Sequence, residues 1–232
     1  MFIVTCKYHP QSLIEECIAS IRKFHCNESI IIVDSDSDDK SYYKLGESAN
    51  DVEILDVSNS RRQIGALYEV YKRYPNEKHY ILIHDTVCLK QSLTSFIQDD
   101  IMFKVILNFT KPYNTLDKNI RSEYISWMNN TLNKLNYPNR LHWYSSNNEM
   151  YGVAGSMGIY SNQFISRLND IGILKNVQTC THNECQFSER FIGYICRCEG
   201  IDISESIEGD FDWQKYTSDN LKYIRKVLIG RN

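Results

Sequence analysis

The first half of the chain alternates short apolar runs with amphipathic segments. Apolar runs of strand length lie at Phe2 to Cys6, Ser29 to Val33, Val52 to Val57 and Tyr80 to Ile83. Between them, apolar residues recur at helical spacing, first after Pro10 at Ile14, Ile18 and Ile21, and later at Ile64, Leu67, Tyr68 and Tyr71. Strands joined by helical crossovers predict a Rossmann-like α/β fold, in which a mixed, mainly parallel sheet has helices on both faces.

The second half is less regular. The pattern predicts strands at Phe103 to Phe109 and Leu141 to Tyr144, and helices at Lys118 to Leu135, after a Ser161 cap, at Asn183 to Cys198 and at Trp213 to Leu228. The segment from Gly152 to Ser161 holds three of the ten glycines. Neither repeats nor an interdomain linker interrupts the sequence, so we expect a single domain over 1–232.

Polar residues follow each of the four strands predicted in the first half. They are Thr5 with Lys7, Asp34 with Asp36, Asn59 to Arg62, and His84 with Asp85. Because ligands of parallel sheets bind beyond the carboxyl ends of the strands, these clusters predict one binding crevice.

Three of these residues have a specific chemical interpretation. Asp85 could ligate a divalent cation that bridges two phosphates, or it could simply begin a turn. Asp34 could accept hydrogen bonds from a ribose or a base, or belong to a solvated acidic loop. Arg62, at the start of a helix, could hold a phosphate, or form an ordinary exposed pair with Arg61.

Two glutamates of the predicted helix at 183–198 are candidates for a general base. Glu189 lies away from the apolar stripe that contains Phe187, so it is either solvated or directed into the crevice. Glu184, near the helix start, competes for the same role, and spacing does not decide between them. The Cys and His residues nearby fit neither paired C-x2-C ligands nor a zinc-finger pattern.

Composition narrows the possible partners. The net charge is −3 and the pI about 6.1, which disfavours nucleic acid as a partner because phosphate backbones require clustered Lys and Arg. Neither a signal peptide nor an apolar run of membrane-spanning length is evident, so we expect a cytoplasmic protein. The eight cysteines are dispersed, as is typical of reduced thiols.

These strand-end sequences resemble the nucleotide-binding half of a GT-A type glycosyltransferase of the family 2 kind. The resemblance covers roughly residues 1–90 and rests on Val-Thr-Cys, Val-Asp-Ser-Asp-Ser, Asn-Ser-Arg-Arg-Gln-Ile-Gly-Ala-Leu and Tyr-Ile-Leu-Ile-His-Asp-Thr. It implies that Asp34 contacts uracil or ribose, that Arg62 lies near the base and phosphates, and that Asp85 holds Mn²⁺ or Mg²⁺. Thr5, Gly65 and His84 belong to the same implied nucleotide site. The D-x-D motif of the family is reduced here to one acid.

Residues 91–232 resemble the acceptor-side half. Gly-Ser-Met-Gly-Ile-Tyr at 155–160 is similar to the segment beside the sugar, and residues 183–193 are similar to the helix that carries the base of inverting members, which favours Glu189. The implied activity is sugar transfer from a UDP-sugar to a glycan or protein acceptor, and the alternative is an inactive GT-A-like module that binds a nucleotide or a protein. Large DNA viruses also encode small transferases of this kind, which would place the protein in the host cytoplasm or the virion.

Overall fold

The computed structural model describes residues 1–7, 13–45, 51–109, 118–136, 152–209 and 221–226. The first half contains β1 (Phe2–Cys6), α1 (Leu13–Phe24), β2 (Ile30–Asp34), β3 (Val52–Leu55), α2 (Arg62–Arg73) and β4 (His79–His84). The second half contains β5 (Val87–Leu89), β6 (Phe103–Val105), β7 (Asn108–Phe109), α3 (Lys118–Leu132), β8 (Gly152–Val153), β9 (Gly158–Ser161), α4 (Asn162–Asp170), α5 (Ile173–Asn176), α6 (His182–Cys198) and β10 (Ile224–Lys226).

Six strands form the central sheet in the order β3-β2-β1-β4-β9-β6. The pairs β3-β2, β2-β1 and β1-β4 are parallel, whereas β9 runs antiparallel to both β4 and β6. This mixed, mainly parallel sheet confirms the predicted fold class. Because β1, β2 and β4 point the same way, their carboxyl ends meet at one edge, with Thr5 in register with both Val33 and His84.

Helices cover both faces of the sheet because the inner strands are apolar on both sides. Every residue of β1 and β2 is buried. Phe2 and Val4 belong to the same apolar cluster as Ile14 of α1, whereas Ile3 packs with Leu67 of α2 and Phe164 of α4 in a second cluster. Continuous burial of this kind is typical of parallel strands between two helical layers.

The predicted strand from Phe103 to Phe109 is two strands in the structure. β6 pairs with β9, whereas β7 pairs with β8 in a separate two-stranded sheet. The chain bends between them at Ile106 and Leu107, whose backbone groups bond to Met157 and Ala154. The prediction of one strand was wrong because an apolar run does not reveal where its pairing partner changes.

The prediction of a last helix from Trp213 to Leu228 is also wrong for the residues of this segment that the structure describes. Ile224–Lys226 forms β10, which pairs antiparallel with β5. The Glu208 carboxylate accepts hydrogen bonds from the backbone N–H groups of Lys222, Tyr223 and Ile224, which directs the chain into this pairing. Residues 213–220 and 227–228 of that segment, the predicted strand at Leu141 to Tyr144 and the helix start at Pro10 lie outside the described residues.

No described helix is both long enough and apolar enough to cross a membrane. The eight cysteines all lie among the described residues, and none of them forms a disulfide.

Candidate active site

The carboxyl ends of β1, β2 and β4 border a narrow crevice. Thr5 Oγ1 lies 3.1 Å from Ser35 Oγ at its floor. The crevice is lined by Thr5, Lys7, Ser35, Arg62, Gln63, His84 and Asp85. The structure thus brings together Thr5, Arg62, His84 and Asp85, which lie in three separate parts of the sequence.

Asp34 is held by its own loop rather than lining the crevice. Its side chain is 1% exposed. Oδ1 accepts a hydrogen bond from the backbone N–H of Ser37 at 2.9 Å, and Oδ2 accepts one from the Tyr42 hydroxyl. Asp34 therefore orders the loop after β2, and its contact with a ribose or a base stays a prediction.

The turn that precedes α2 is held by Asn59, which lies close to Gly65. Asn59 Nδ2 donates to the Arg62 carbonyl at 2.8 Å and lies 3.4 Å from Ser35 Oγ, which ties this turn to the loop after β2. A Cβ on Gly65 would lie 1.9 Å from Asn59 Oδ1, so glycine is needed for this close approach. In this structure Gly65 supports the crevice wall, while direct contact with a nucleotide stays a prediction.

Residues with strained backbone conformations lie near the same edge of the sheet. Four described non-glycine residues have left-handed φ angles: Asp36 (65°), Ser58 (50°), Arg62 (46°) and Ser156 (53°). Asp36 and Ser58 lie in the connections beyond β2 and β3, Arg62 is the first residue of α2, and Ser156 follows Gly155. Strained residues that cluster in this way are typical of ligand sites, where the surrounding contacts compensate for the strain.

Of the two adjacent arginines, Arg62 is the one that lines the crevice. Arg62 Nη1 donates to Cys185 Sγ at 3.3 Å, so its guanidinium reaches from α2 to α6. Arg61 instead donates to the Leu174 carbonyl at 2.6 Å and lies over the Tyr68 ring. Arg61 therefore packs the outside of α2, and Arg62 is the arginine of the pair that lines the crevice, while its contact with a phosphate stays a prediction.

His84, at the end of β4, contacts residues from two later parts of the chain, Gly155 and Lys226. Its Nε2 lies 3.0 Å from the Gly155 carbonyl oxygen, which can only accept, so Nε2 carries a proton. Its Nδ1 lies 3.4 Å from Lys226 Nζ, which can only donate, so Nδ1 carries a lone pair. His84 is therefore a neutral imidazole with its tautomer fixed by these two neighbours.

Gln63 completes this contact. Its Nε2 lies 3.2 Å from His84 Nε2, and its Oε1 is buried without a hydrogen-bond partner among the described residues. Because His84 Nε2 is a donor, exchanging the amide N and O of Gln63 places an acceptor, Oε1, opposite it. We therefore assign Oε1 of Gln63 to the position facing His84.

The surroundings of Asp85 determine whether it suits a divalent cation. Asp85 is 7% exposed. Its carboxylate accepts a hydrogen bond from the Cys6 thiol, and burial together with this carboxylate raises the pKa of Cys6. Within the part of the chain that the structure describes, no three His, Cys, Asp or Glu side chains come together as metal ligands.

His84 adds no metal ligand, because its Nε2 carries a proton and its Nδ1 faces an ammonium group. A cation on Asp85 alone would depend on phosphate oxygens and waters for its other ligands. Lys226 Nζ, which faces the neighbouring His84, would also repel a cation. The residues present therefore fit a resident Mn²⁺ or Mg²⁺ poorly, and Asp85 as a metal ligand stays a prediction.

Glu189 lies beside Gly155, which links it to His84 of the crevice. Its Oε1 accepts a hydrogen bond from the Gly155 backbone N–H at 2.8 Å, while the carbonyl of the same Gly155 bonds to His84. The residue keeps some exposed surface, but its carboxyl group is desolvated, and this raises its pKa from the usual 4.5 to about 7. The Gly155 N–H and the charges of Arg190 and Lys226 oppose the shift. Such a carboxylate is suited to accept a proton near neutral pH.

Glu184 has a structural role at the start of α6. Its carboxylate accepts the backbone N–H groups of Cys180 at 2.9 Å and Thr181 at 3.0 Å, and Thr181 Oγ1 accepts the Glu184 N–H at 3.1 Å. This reciprocal pair is a capping box. Its carboxylate is thus occupied at the helix end, which leaves Glu189 as the carboxylate beside the crevice.

We expect Thr181→Ala to lower the free energy of unfolding by about 1 kcal/mol, because the first turn of α6 loses its side-chain cap. Urea denaturation followed by circular dichroism measures this change. Ser122→Ala, at an exposed position of α3, is the control and should stay within about 0.5 kcal/mol of the wild type. Equal effects of the two substitutions would contradict the capping role.

Sequence reasoning missed two groups of this site, Lys226 and Gln63. Lys226 comes from a strand that the pattern predicts as a helix, and its approach to His84 spans 142 residues of sequence. Gln63 gives no sequence signal beside the two arginines. Gly155 lies in the glycine-rich segment that the sequence singles out, and its φ of 62° shows why that segment needs glycine.

No family model matches the chain, and no curated protein matches its sequence. Among solved structures, GalNAc-T7 with UDP, GalNAc and Mn²⁺ is similar, with a TM-score of 0.51 at 11% identity over 81% of this chain and 39% of that chain. TarS 1–349 from S. aureus gives a TM-score of 0.43 at 13% identity over 83% of this chain and 55% of that chain, and its complex with UDP gives 0.42 at 12% over 81% and 53%. The chain spans less than two thirds of the length of each of these structures.

The sheet order and the similarity to GalNAc-T7 define the fold class. The chain has the GT-A fold of glycosyltransferases, with the strand-end crevice at the edge where β1, β2 and β4 terminate. At 11% identity this similarity extends to the fold alone.

Proposed function

We propose that this protein is a glycosyltransferase that moves a sugar from a nucleoside diphosphate donor, expected to be a UDP-sugar, to an acceptor hydroxyl. The observation that carries the proposal is the position of Glu189. A carboxylate with a pKa of about 7 lies one backbone residue, Gly155, away from the strand-end crevice of a GT-A fold. The crystal structure of GalNAc-T7 contains UDP and GalNAc, which is consistent with the proposed donor class.

In the proposed reaction, the donor diphosphate lies in the crevice beside Arg62, and the acceptor approaches from the Glu189 side. The acceptor oxygen attacks the anomeric carbon and forms the new C–O bond. The bond from that carbon to the phosphate oxygen breaks, and its electron pair leaves with the diphosphate. Glu189 takes the acceptor proton, so the anomeric configuration inverts. We derive no step through a divalent cation, because the ligand set at Asp85 fits one poorly.

Calorimetric titration with UDP, GDP and their common sugars, combined with an assay for release of free diphosphate from each donor, tests this function. Binding of one nucleotide together with its release from a sugar donor supports the transferase. Binding without release in the presence of acceptor mixtures would favour the non-catalytic module, for which the single acid of the D-x-D segment is the supporting observation. Absence of both would overturn the proposal.

The pH dependence of transfer should follow the titration of Glu189. Because a general base acts in its ionised form, we expect the transfer rate to rise with pH through a midpoint of about 7. Initial rates from about pH 5.5 to about pH 8.5 at saturating donor measure this. A flat profile across this range would contradict the assignment of Glu189 as the base.

The raised pKa of Glu189 also predicts how the stability of the protein depends on pH. A carboxyl whose pKa is raised on folding stabilises the protein fully below its unfolded value of 4.5, and this contribution is lost as the pH rises through about 7. The melting temperature of the wild type, relative to that of Glu189→Gln, should therefore fall between about pH 4.5 and pH 7 and level off above pH 7. Thermal melts of both proteins across that range measure the difference, and a constant difference would show that the shift is absent.

A further inference from the structure

The pairing of β10 with β5 brings Lys226 beside His84, a residue that lines the crevice. In this antiparallel pair Lys226 lies opposite Val87, two residues after Asp85. Its side chain is 9% exposed, and its Nζ lies 3.4 Å from His84 Nδ1. The chain thus carries an ammonium group from its C-terminal part to the end of the central strand β4.

The contacts of His84 orient this ammonium group. His84 donates through Nε2 to the Gly155 carbonyl at 3.0 Å, which leaves the Nδ1 lone pair directed at Lys226. The imidazole is neutral, so it orients the lysine without cancelling its charge. The charge of Lys226 is also felt at Glu189, where it favours the ionised carboxylate. Lys226 therefore contacts the crevice residue His84 and lies near enough to the carboxylate proposed as the base to influence its charge.

The positive charge that the reaction requires is thus already supplied by the chain. A departing nucleoside diphosphate carries several negative charges, and a fixed cation at the site where charge develops stabilises it. Divalent cations are one solution, but Asp85 is engaged by the Cys6 thiol and offers one carboxylate. Arg62 and Lys7 are cations that line the crevice, and Lys226 adds a third cation beside the lining residue His84. A charge-assisted N–H···O bond from such a cation to phosphate is of the strong kind.

We propose that Lys226, oriented by His84, binds the diphosphate of the donor and takes the charge-neutralising role that a divalent cation has in a D-x-D site. This inference rests on the proposed function and names a further residue of the same site. When the sugar–phosphate bond breaks, the electron pair moves to the phosphate oxygen, and Lys226 donates a hydrogen bond to the diphosphate while keeping its proton. Lys226 is then a catalytic residue, whereas His84 is a positioning residue.

Calorimetry on the full chain in EDTA tests this role, with UDP, GDP, uridine and guanosine as ligands. The wild type should bind one diphosphate in EDTA more tightly than the matching nucleoside. Lys226→Met should weaken the diphosphate by about 10–100-fold and leave the nucleoside affinity unchanged. Lys226→Arg should restore part of the loss. The matched control is Lys222→Met, an exposed lysine of the same segment, which should bind like the wild type.

The nucleoside affinity also shows whether Lys226→Met remains folded, since it depends on the same crevice without the phosphates. If Lys226→Met disturbs the fold, the diphosphate affinity of Lys226→Arg is compared with that of the wild type. This comparison, together with the EDTA result, then decides whether Lys226 binds the diphosphate. Wild-type binding that is lost in EDTA and restored by Mn²⁺ would overturn this inference but leave the proposed function intact. Equal diphosphate affinity of Lys226→Met and Lys222→Met would do the same. Failure of every nucleotide to bind in either condition would overturn both.

Discussion

Replacing Glu189 by Gln should lower the rate of sugar transfer by about 10²–10⁴-fold, the usual contribution of a general base. Glutamine has nearly the same shape and retains Oε1, so it can still accept the hydrogen bond from the Gly155 N–H. The change therefore removes the proton acceptor and little else. Donor affinity should be unchanged, because Glu189 is not among the residues that line the crevice, where the donor is proposed to bind.

Steady-state transfer rates and calorimetric donor affinity, measured on the same preparation, separate these two effects. Glu184→Gln is the matched control, because glutamine can also serve in a capping box and the residue lies on the same helix. It should retain transfer within about twofold, as expected for a surface change away from the chemistry. Full activity of Glu189→Gln with normal donor binding would exclude Glu189 as the base, and a loss limited to Glu184→Gln would reverse the assignment.

The half of the fold from β1 to β4 was predictable from local pattern. The Ile-Ile-Ile-Val run of β2 and the Tyr-Ile-Leu-Ile run of β4 are apolar on both faces, which only a strand between two helical layers explains. Once those strands are parallel, the polar residues that follow them must meet at one edge. His84 and Asp85 end a buried strand because that is where the sheet meets its crevice.

The rest of the candidate site depends on contacts between distant parts of the chain, which sequence spacing does not encode. His84 meets Gly155, 71 residues away, and Gly155 meets Glu189, 34 residues further along the chain. Glu184 and Glu189 lie on one helix, where spacing alone does not distinguish their roles, and the hydrogen-bond partners of the two carboxylates differ. Glu184 accepts hydrogen bonds from backbone N–H groups at the start of its own helix, whereas Glu189 accepts one from the backbone N–H of Gly155.

Gly155 links the two sides of the site, because its carbonyl bonds to His84 and its N–H bonds to Glu189. We expect Gly155→Ala to lower sugar transfer by about 10²-fold or more, the usual effect of displacing a catalytic group by about 1 Å. A Cβ there would lie 2.6 Å from both Cε1 and Nε2 of the His84 ring, so the imidazole or the loop must move. Either movement breaks the bridge that positions His84 and Glu189.

The φ of 62° at Gly155 also disfavours alanine by about 1–2 kcal/mol, so a general loss of stability must be separated from damage to the site. Gly200→Ala provides the control, since Gly200 has a similar φ of 72° and no atom within 4 Å of the added Cβ. Both variants should melt at lower temperature by similar amounts, whereas only Gly155→Ala should lose transfer at a temperature where both are folded. If Gly200→Ala lost activity to the same extent, strain alone would account for the effect. If Gly155→Ala kept activity, the Gly155 bridge would not be needed to position Glu189.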